Sequence, residues 1–168
     1  MKYFACDFET TGLLAPSAAP LEVQPHIVQV GYFLLNENFK EESCGCYTVK
    51  PPIPIPAAAS KVHGITDETV ERCSPLYPDA IVGMMRDRCW VGQNVPFDKG
   101  CLYHACRRAG IEMPETPSLD LMDFIVARWG KRRKLTDVYA DLFNEPMAKA
   151  HDALADIEAT IKCLKEMM

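Results

Sequence analysis

Asp7 and Glu9 stand one residue apart, just after a short apolar run from Tyr3 to Cys6. Such a run near the start of a chain reads as a buried central strand. Side chains alternate faces along a strand, so the two acids project the same way, roughly 6.5 Å apart along the backbone. Two carboxylates side by side at the end of a buried strand repel each other and are poorly solvated. A cation relieves both problems. All-oxygen sites suit hard divalent ions such as Mg²⁺ or Mn²⁺. Taken alone, an Asp-x-Glu is equally a surface turn that carries two acids.

Three more segments place polar groups where an ordinary core would not. Asn94-Val95-Pro96-Phe97-Asp98 follows a short apolar run and opens a helix, with Asp98 in its first turn. Acids favour that position for dipole reasons alone. His151-Asp152-Ala153-Leu154-Ala155-Asp156 opens the last helix. On a helical wheel Asp156 lies about 160° from Leu154, among the small residues Ala153, Thr160 and Cys163, which leave room for an approaching group. Five helical residues separate side chains by about 140°, so His151 reaches the same site only from the loop before the helix. An exposed histidine without function is the alternative. His63-Gly64-Ile65-Thr66 is a turn ending in an N-cap, and its glycine allows a close backbone approach. Together, four acids and one histidine have a single economical use. The acids hold two divalent cations about 3.5–4 Å apart, and the histidine takes a proton from the attacking water.

The elements that must position these groups follow from the pattern. Ile27–Leu35 reads as a second strand, with Gly31 a bulge or a close approach, and Glu41–Val49 as a third, giving an antiparallel meander. Pro51, Pro52, Pro54 and Pro56 enforce an extended connection. Short helices follow from Ala57 and from Thr66, then a helix over Asp79–Arg88 and a buried strand over Cys89–Gly92. A helix from Pro96 to Ala109 ends at Gly110, with Phe97, Cys101, Leu102, Ala105 and Ala109 as its apolar face. Ser118–Ala127 holds a short strand or loop and a helix, and Lys134–Phe143 is amphipathic. The last helix spans Asp152–Met167, with Leu154, Ile157, Ile161 and Leu164 as its core stripe. This order predicts an α/β fold with a mixed sheet, in one domain covering residues 1–168.

Composition narrows the classes. The chain has 168 residues and a formal net charge of −5, which argues against gripping long duplex through many phosphates. Lys131-Arg132-Arg133-Lys134 is the one dense basic run, either a solvated loop or a patch for phosphates. The eight cysteines fall in apolar patterns rather than a disulfide framework, which suits reduced thiols and a cytoplasmic location. Cys44-x-Cys46 lacks the second pair that a zinc site needs. No signal peptide or stretch of 18 apolar residues is present, so no membrane partner is expected.

The motifs Asp-x-Glu-Thr-Thr-Gly, Asn-x-x-Phe-Asp and His-x(4)-Asp resemble, in type and order, those of the DEDD superfamily of 3′→5′ exonucleases. The subgroup is the DnaQ-like one with a histidine in its third motif. The resemblance spans nearly the whole chain. It implies a ribonuclease H-like fold, a five-stranded mixed sheet flanked by helices, and two Mg²⁺ or Mn²⁺ ions held by Asp7, Glu9, Asp98 and Asp156. It implies His151 as general base and hydrolysis from the 3′ end of single-stranded nucleic acid, DNA favoured. Gln93 departs from the histidine that many relatives carry there, with an effect expected on local packing or substrate grip. Substrate contacts are expected from Thr10, Thr11, Gly12, Leu13, His63, Ile65, Asn94 and Phe97; Leu13 and Phe97 read equally well as core residues. An exoribonuclease is the alternative within the class, and a non-catalytic polymerase-docking module the alternative outside it. Polymerase-held relatives carry a tail beyond the exonuclease domain. Ending at Met168 after its last helix, this sequence reads as a free-standing trimming enzyme or one recruited by its surface, with a polymerase or homodimer partner open.

Overall fold

The computed structural model describes residues 1–148 and 152–168. Its centre is the strand β1 (Lys2–Thr10), whose alternation decides which side of the sheet each residue serves. Phe4, Cys6 and Phe8 point to one face; Tyr3, Ala5, Asp7 and Glu9 point to the other. β2 (Ile27–Leu35) and β3 (Glu41–Thr48) continue antiparallel from β1, while β4 (Arg88–Gly92) and β5 (Ser118–Asp120) run parallel to it. The sheet order is β3-β2-β1-β4-β5, the expected five-stranded mixed sheet.

Three short helices, α1 (Ala57–His63), α2 (Asp67–Val70) and α3 (Pro78–Met85), lie between β3 and β4. A long helix α4 (Val95–Ala109) joins β4 to β5, and α5 (Leu121–Trp129), α6 (Leu135–Phe143) and α7 (Ala153–Met167) complete the chain. Phe4, Cys6, Phe8 and Trp90 pack against Ile81 and Met85 of α3 and Cys101 and Leu102 of α4. On the opposite face Ala5, Phe33 and Val91 pack against Ile125 of α5, Val138 of α6 and Ile157, Ile161 and Leu164 of α7. The acids of β1 therefore extend the face that α7 covers.

Several boundaries differ from the expected ones. α3 ends at Met85, not at Arg88, because Arg86 turns extended (ψ 133°), Asp87 takes a left-handed φ of 59°, and Arg88 already pairs with Lys2. Pro56 caps α1 rather than opening its first turn. Ala109 is exposed at the end of α4, and Leu154 is only partly buried, its place on the inner stripe taken by Ala153. Gly31 is not a bulge: it pairs in register with Asp7 and Cys46. It is a close approach, since a Cβ there would lie 2.8 Å from Ala153 Cβ. All eight cysteines are free, and among the described residues no helix is long and apolar enough to cross a membrane.

Candidate active site

The geometry begins with the small pair Gly31 and Ala153. Because neither has a large side chain, the first turn of α7 seats directly on the β1–β2 ladder. Asp152 caps that turn, its carboxylate accepting from Ala155 N–H at 3.1 Å. One residue further on, Asp156 reaches Asp7 and Glu9. A carboxylate oxygen from each of these three acids lies within 4.8 Å of the other two, and all three are half-buried.

Asp98 approaches from the opposite side. It is buried in the first turn of α4 and accepts the Phe8 N–H at 3.0 Å, which ties the start of α4 to the backbone between Asp7 and Glu9. It stands outside the cluster of three but close enough that its charge acts on Asp7. Asp120 fixes this arrangement from below. Its carboxylate takes Asn94 N–H at 2.7 Å, Val95 N–H at 3.0 Å and Met122 N–H at 2.9 Å. It thus holds the entry of α4 and caps α5 at once. The sequence signal for Asp120 was an acid directly before an apolar helix, an N-cap pattern.

The electrostatics follow from crowding. Burial first, then the charges of Asp98, Glu9 and Asp156, hold the Asp7 carboxyl well above its ordinary range. Burial, then Asp156 and Asp152, push Glu9 up to about 7. Burial pushes Asp98 up to about 8, against the lowering pull of the Phe8 N–H. Carboxyls crowded together so that they resist ionisation call for positive charge between them. The donor set is all oxygen, which fits a hard divalent cation and not a soft one.

Residues 4–164 match the RNase T family model, described as an exonuclease. The chain belongs to the RNase T exonuclease family. It is 30% identical over 172 residues to an uncharacterised exonuclease, CP81, of Escherichia phage 186, spanning 92% of this chain and 82% of that protein. It is 25% identical over 166 residues to the 3′-5′ exonuclease DinG of Bacillus subtilis, spanning 95% of this chain but 17% of DinG. Among solved structures, the nuclease domain of 3′hExo, a DEDDh family member bound to rAMP, superposes with a TM-score of 0.75 at 17% identity. That match covers 99% of this chain and 90% of that one. E. coli Exonuclease I in complex with a dA16 oligonucleotide gives a TM-score of 0.73 at 20% identity, with this chain spanning 40% of it. The family match makes the chain an exonuclease, and the likeness to these solved structures gives its ribonuclease H-like fold.

The remaining expected residues of this exonuclease fall in three groups. Thr10 and Thr11 are buried, and a register shift between Glu9 and Thr10 redirects the chain as it leaves β1. Thr10 Oγ1 donates to Gly12 O at 2.7 Å, and Thr11 exchanges hydrogen bonds with the His26 backbone at 2.8 and 2.9 Å. A Cβ on Gly12 would meet nothing within 4 Å, and Leu13 projects outward at 84% exposure. His63 is half-buried, its Nε2 3.3 Å from Thr10 O and its Nδ1 accepting from Ile65 N–H at 3.0 Å. Ile65 itself is buried with Val28, Ile55 and Val70. Asn94 sits in a left-handed turn (φ 68°) with its Oδ1 occupied by Arg132, and Phe97 packs partly against the core. His151 lies outside the described residues. Sequence reasoning missed the cavity of about 370 Å³ beside the acids, where Lys134, Leu135, Thr136 and Thr160 line one pocket with Asp7, Gln93 and Asp156.

Proposed function

We propose that the protein is a metal-dependent 3′→5′ exonuclease that releases nucleoside 5′-monophosphates from the 3′ end of single-stranded nucleic acid, with DNA favoured. The observation that carries this is the convergence of Asp7, Glu9 and Asp156 within 4.8 Å, with buried Asp98 beside them. Two Mg²⁺ or Mn²⁺ ions held by these acids would neutralise the phosphate oxygens and acidify the attacking water. Asp7, between the other acids, would serve both ions; Glu9 and Asp156 would complete one site and Asp98 the other. His151 would take the proton of the attacking water, since an imidazole titrates near working pH.

The loop from Thr10 to Leu13 supports recognition of an end rather than a sequence. Its backbone is braced by Thr11 and His63, Gly12 leaves the approach open, and Leu13 stands ready to lie against a terminal base. Exonuclease I, in complex with a dA16 oligonucleotide, supports the DNA reading; 3′hExo, bound to rAMP, supports the RNA one. The test is digestion of matched 5′-labelled DNA and RNA single strands with Mg²⁺, in parallel with Asp7→Asn. Stepwise shortening from the 3′ end, faster on DNA and slowed on the order of 10²–10³-fold by Asp7→Asn, supports the proposal. Faster shortening of RNA moves the substrate to the exoribonuclease reading. A folded protein inert on every strand points to a docking module.

A further inference from the structure

The basic run 131–134 between α5 and α6 does not act as one patch. Arg132 donates to Asn94 Oδ1 at 2.8 Å. Arg133 pairs with Asp141 and lies over the Trp129 ring, 4.9 Å from its centroid. Gln93 Nε2 donates to Arg133 O at 3.1 Å. Both arginines are therefore committed within the fold, and the β4–α4 junction clamps the loop from the side of the acids. That clamp holds the backbone on which the next residue stands. Lys134 lines the 370 Å³ cavity with Asp7 and Asp156, and among the described residues its ammonium has no ion pair or hydrogen bond.

An exposed lysine at the edge of a cavity lined by carboxylates, and not paired with them, leaves two charged walls facing one space. Cations on the acid wall would be repelled by Lys134 unless an anion lay between. A phosphodiester satisfies both walls: its oxygens meet the cations on one side and an ammonium on the other. We infer that Lys134 is a substrate-binding residue whose ammonium takes a non-bridging oxygen of the 3′-terminal phosphodiester, the linkage to be cut, with Gln93 and Asn94 as the residues that position it. This rests on the nuclease reading above and adds to it a specific phosphate contact.

The test reads binding, not turnover. A fluorescent single strand is titrated with the protein in Ca²⁺, as the natural strand, with a neutral methylphosphonate at the 3′-terminal linkage, and with one at the linkage upstream. Lys134→Gln should weaken binding of the natural strand roughly tenfold, the scale of a lost charge-assisted hydrogen bond. Lys134→Arg should retain most of the affinity, because it keeps the charge. The terminal methylphosphonate should weaken the wild type, yet weaken Lys134→Gln distinctly less; the upstream one should weaken both proteins equally. Lys40→Gln, on the exposed turn after β2, serves as the control and should bind as the wild type does. Equal affinity of Lys134→Gln and wild type for the natural strand overturns the inference, as does full additivity with the terminal methylphosphonate. If the wild type cleaves with Mg²⁺ while either result holds, only the Lys134 assignment falls. If the wild type neither cleaves nor binds, the nuclease reading falls and this inference with it.

Discussion

Glu9 and Asp98 hold their protons more tightly in the folded chain than an exposed acid does. Their carboxyls titrate near 7 and 8, against ordinary values of 4.5 and 3.8. For an acid raised in this way, the folded state binds more protons than the unfolded state between the two values. Its contribution is complete below the ordinary value, and stability is lost as pH rises through the folded one. In a chelator the melting temperature should therefore fall between about pH 5 and pH 8. Glu9→Gln removes one of the titrating groups, so its decline over that window should be shallower. Mn²⁺ should raise the melting temperature at the alkaline end far more than at the acid end, because it needs ionised carboxylates. Thermal denaturation with and without Mn²⁺ checks all three, and a pH slope unchanged in Glu9→Gln would show that Glu9 is not crowded as described. That the four acids converge was legible in the sequence because few ordinary cores place acids there; His151 lies outside the described residues. What those acids touch was not legible. Nothing in the spacing of Phe8 and Asp98 announces a 3.0 Å hydrogen bond across 90 residues, nor that Arg132 is drawn to Asn94 rather than to solvent.

Asp156 belongs to the site only because α7 can sit close to the sheet, and that depends on Gly31. A Cβ at position 31 would lie 2.8 Å from Ala153 Cβ, 3.0 Å from Ala153 C and 3.1 Å from Ile157 Cδ1. All three atoms belong to the first turns of the helix, and the Cβ and carbonyl carbon of Ala153 cannot swing aside, so the helix must shift. Gly31→Val should destabilise the protein by about 1–3 kcal/mol. It should also weaken Mn²⁺ binding by moving Asp156 off Asp7 and Glu9. Gly83, in α3, is the control: a Cβ there meets nothing within 4 Å. Gly83→Ala should leave Mn²⁺ binding unchanged and add up to about 1 kcal/mol of stability through helix propensity. Chemical denaturation and calorimetric Mn²⁺ titration separate the outcomes; a Gly31→Val protein that binds Mn²⁺ as tightly as the wild type would show that the close approach does not set the site. Elements with strong local signals were readable from the chain. The span Ile27–Leu35 is β2 to the residue, and Gly110 ends α4 as its left-handed cap. Where the signal was tertiary it was not. α3 stops at Met85 with no glycine or proline to mark it, because the chain must turn at Asp87 to pair Arg88 with Lys2. The wheel that set Asp156 away from the packing face assumed one narrow stripe, but α7 buries a broad arc that includes Ala153, Thr160 and Cys163, because it packs on β1, β2, α5 and α6 together.

At the scale of the whole molecule the charge balance limits how a nucleic acid can be held. The chain carries 18 basic and 23 acidic residues. In the only dense basic run, both arginines have partners inside the fold. Among the described residues this run therefore offers few free cations with which to track a backbone, and the strand should be held mainly through the groups around the carboxylates. Counterion release then has little to act on. Each phosphate neutralised on a single strand contributes a slope of about −0.7 to the logarithm of affinity against the logarithm of salt. With one or two phosphates held by side chains, kcat/KM at constant Mg²⁺ should fall with a slope of only about −0.7 to −1.4 between 50 and 200 mM KCl. Lys134→Gln should flatten it further. Steady-state rates on a labelled single strand across that salt range measure the slope directly. A fall steeper than about −4 would mean six or more neutralised phosphates, and so a basic track beyond the groups around the carboxylates.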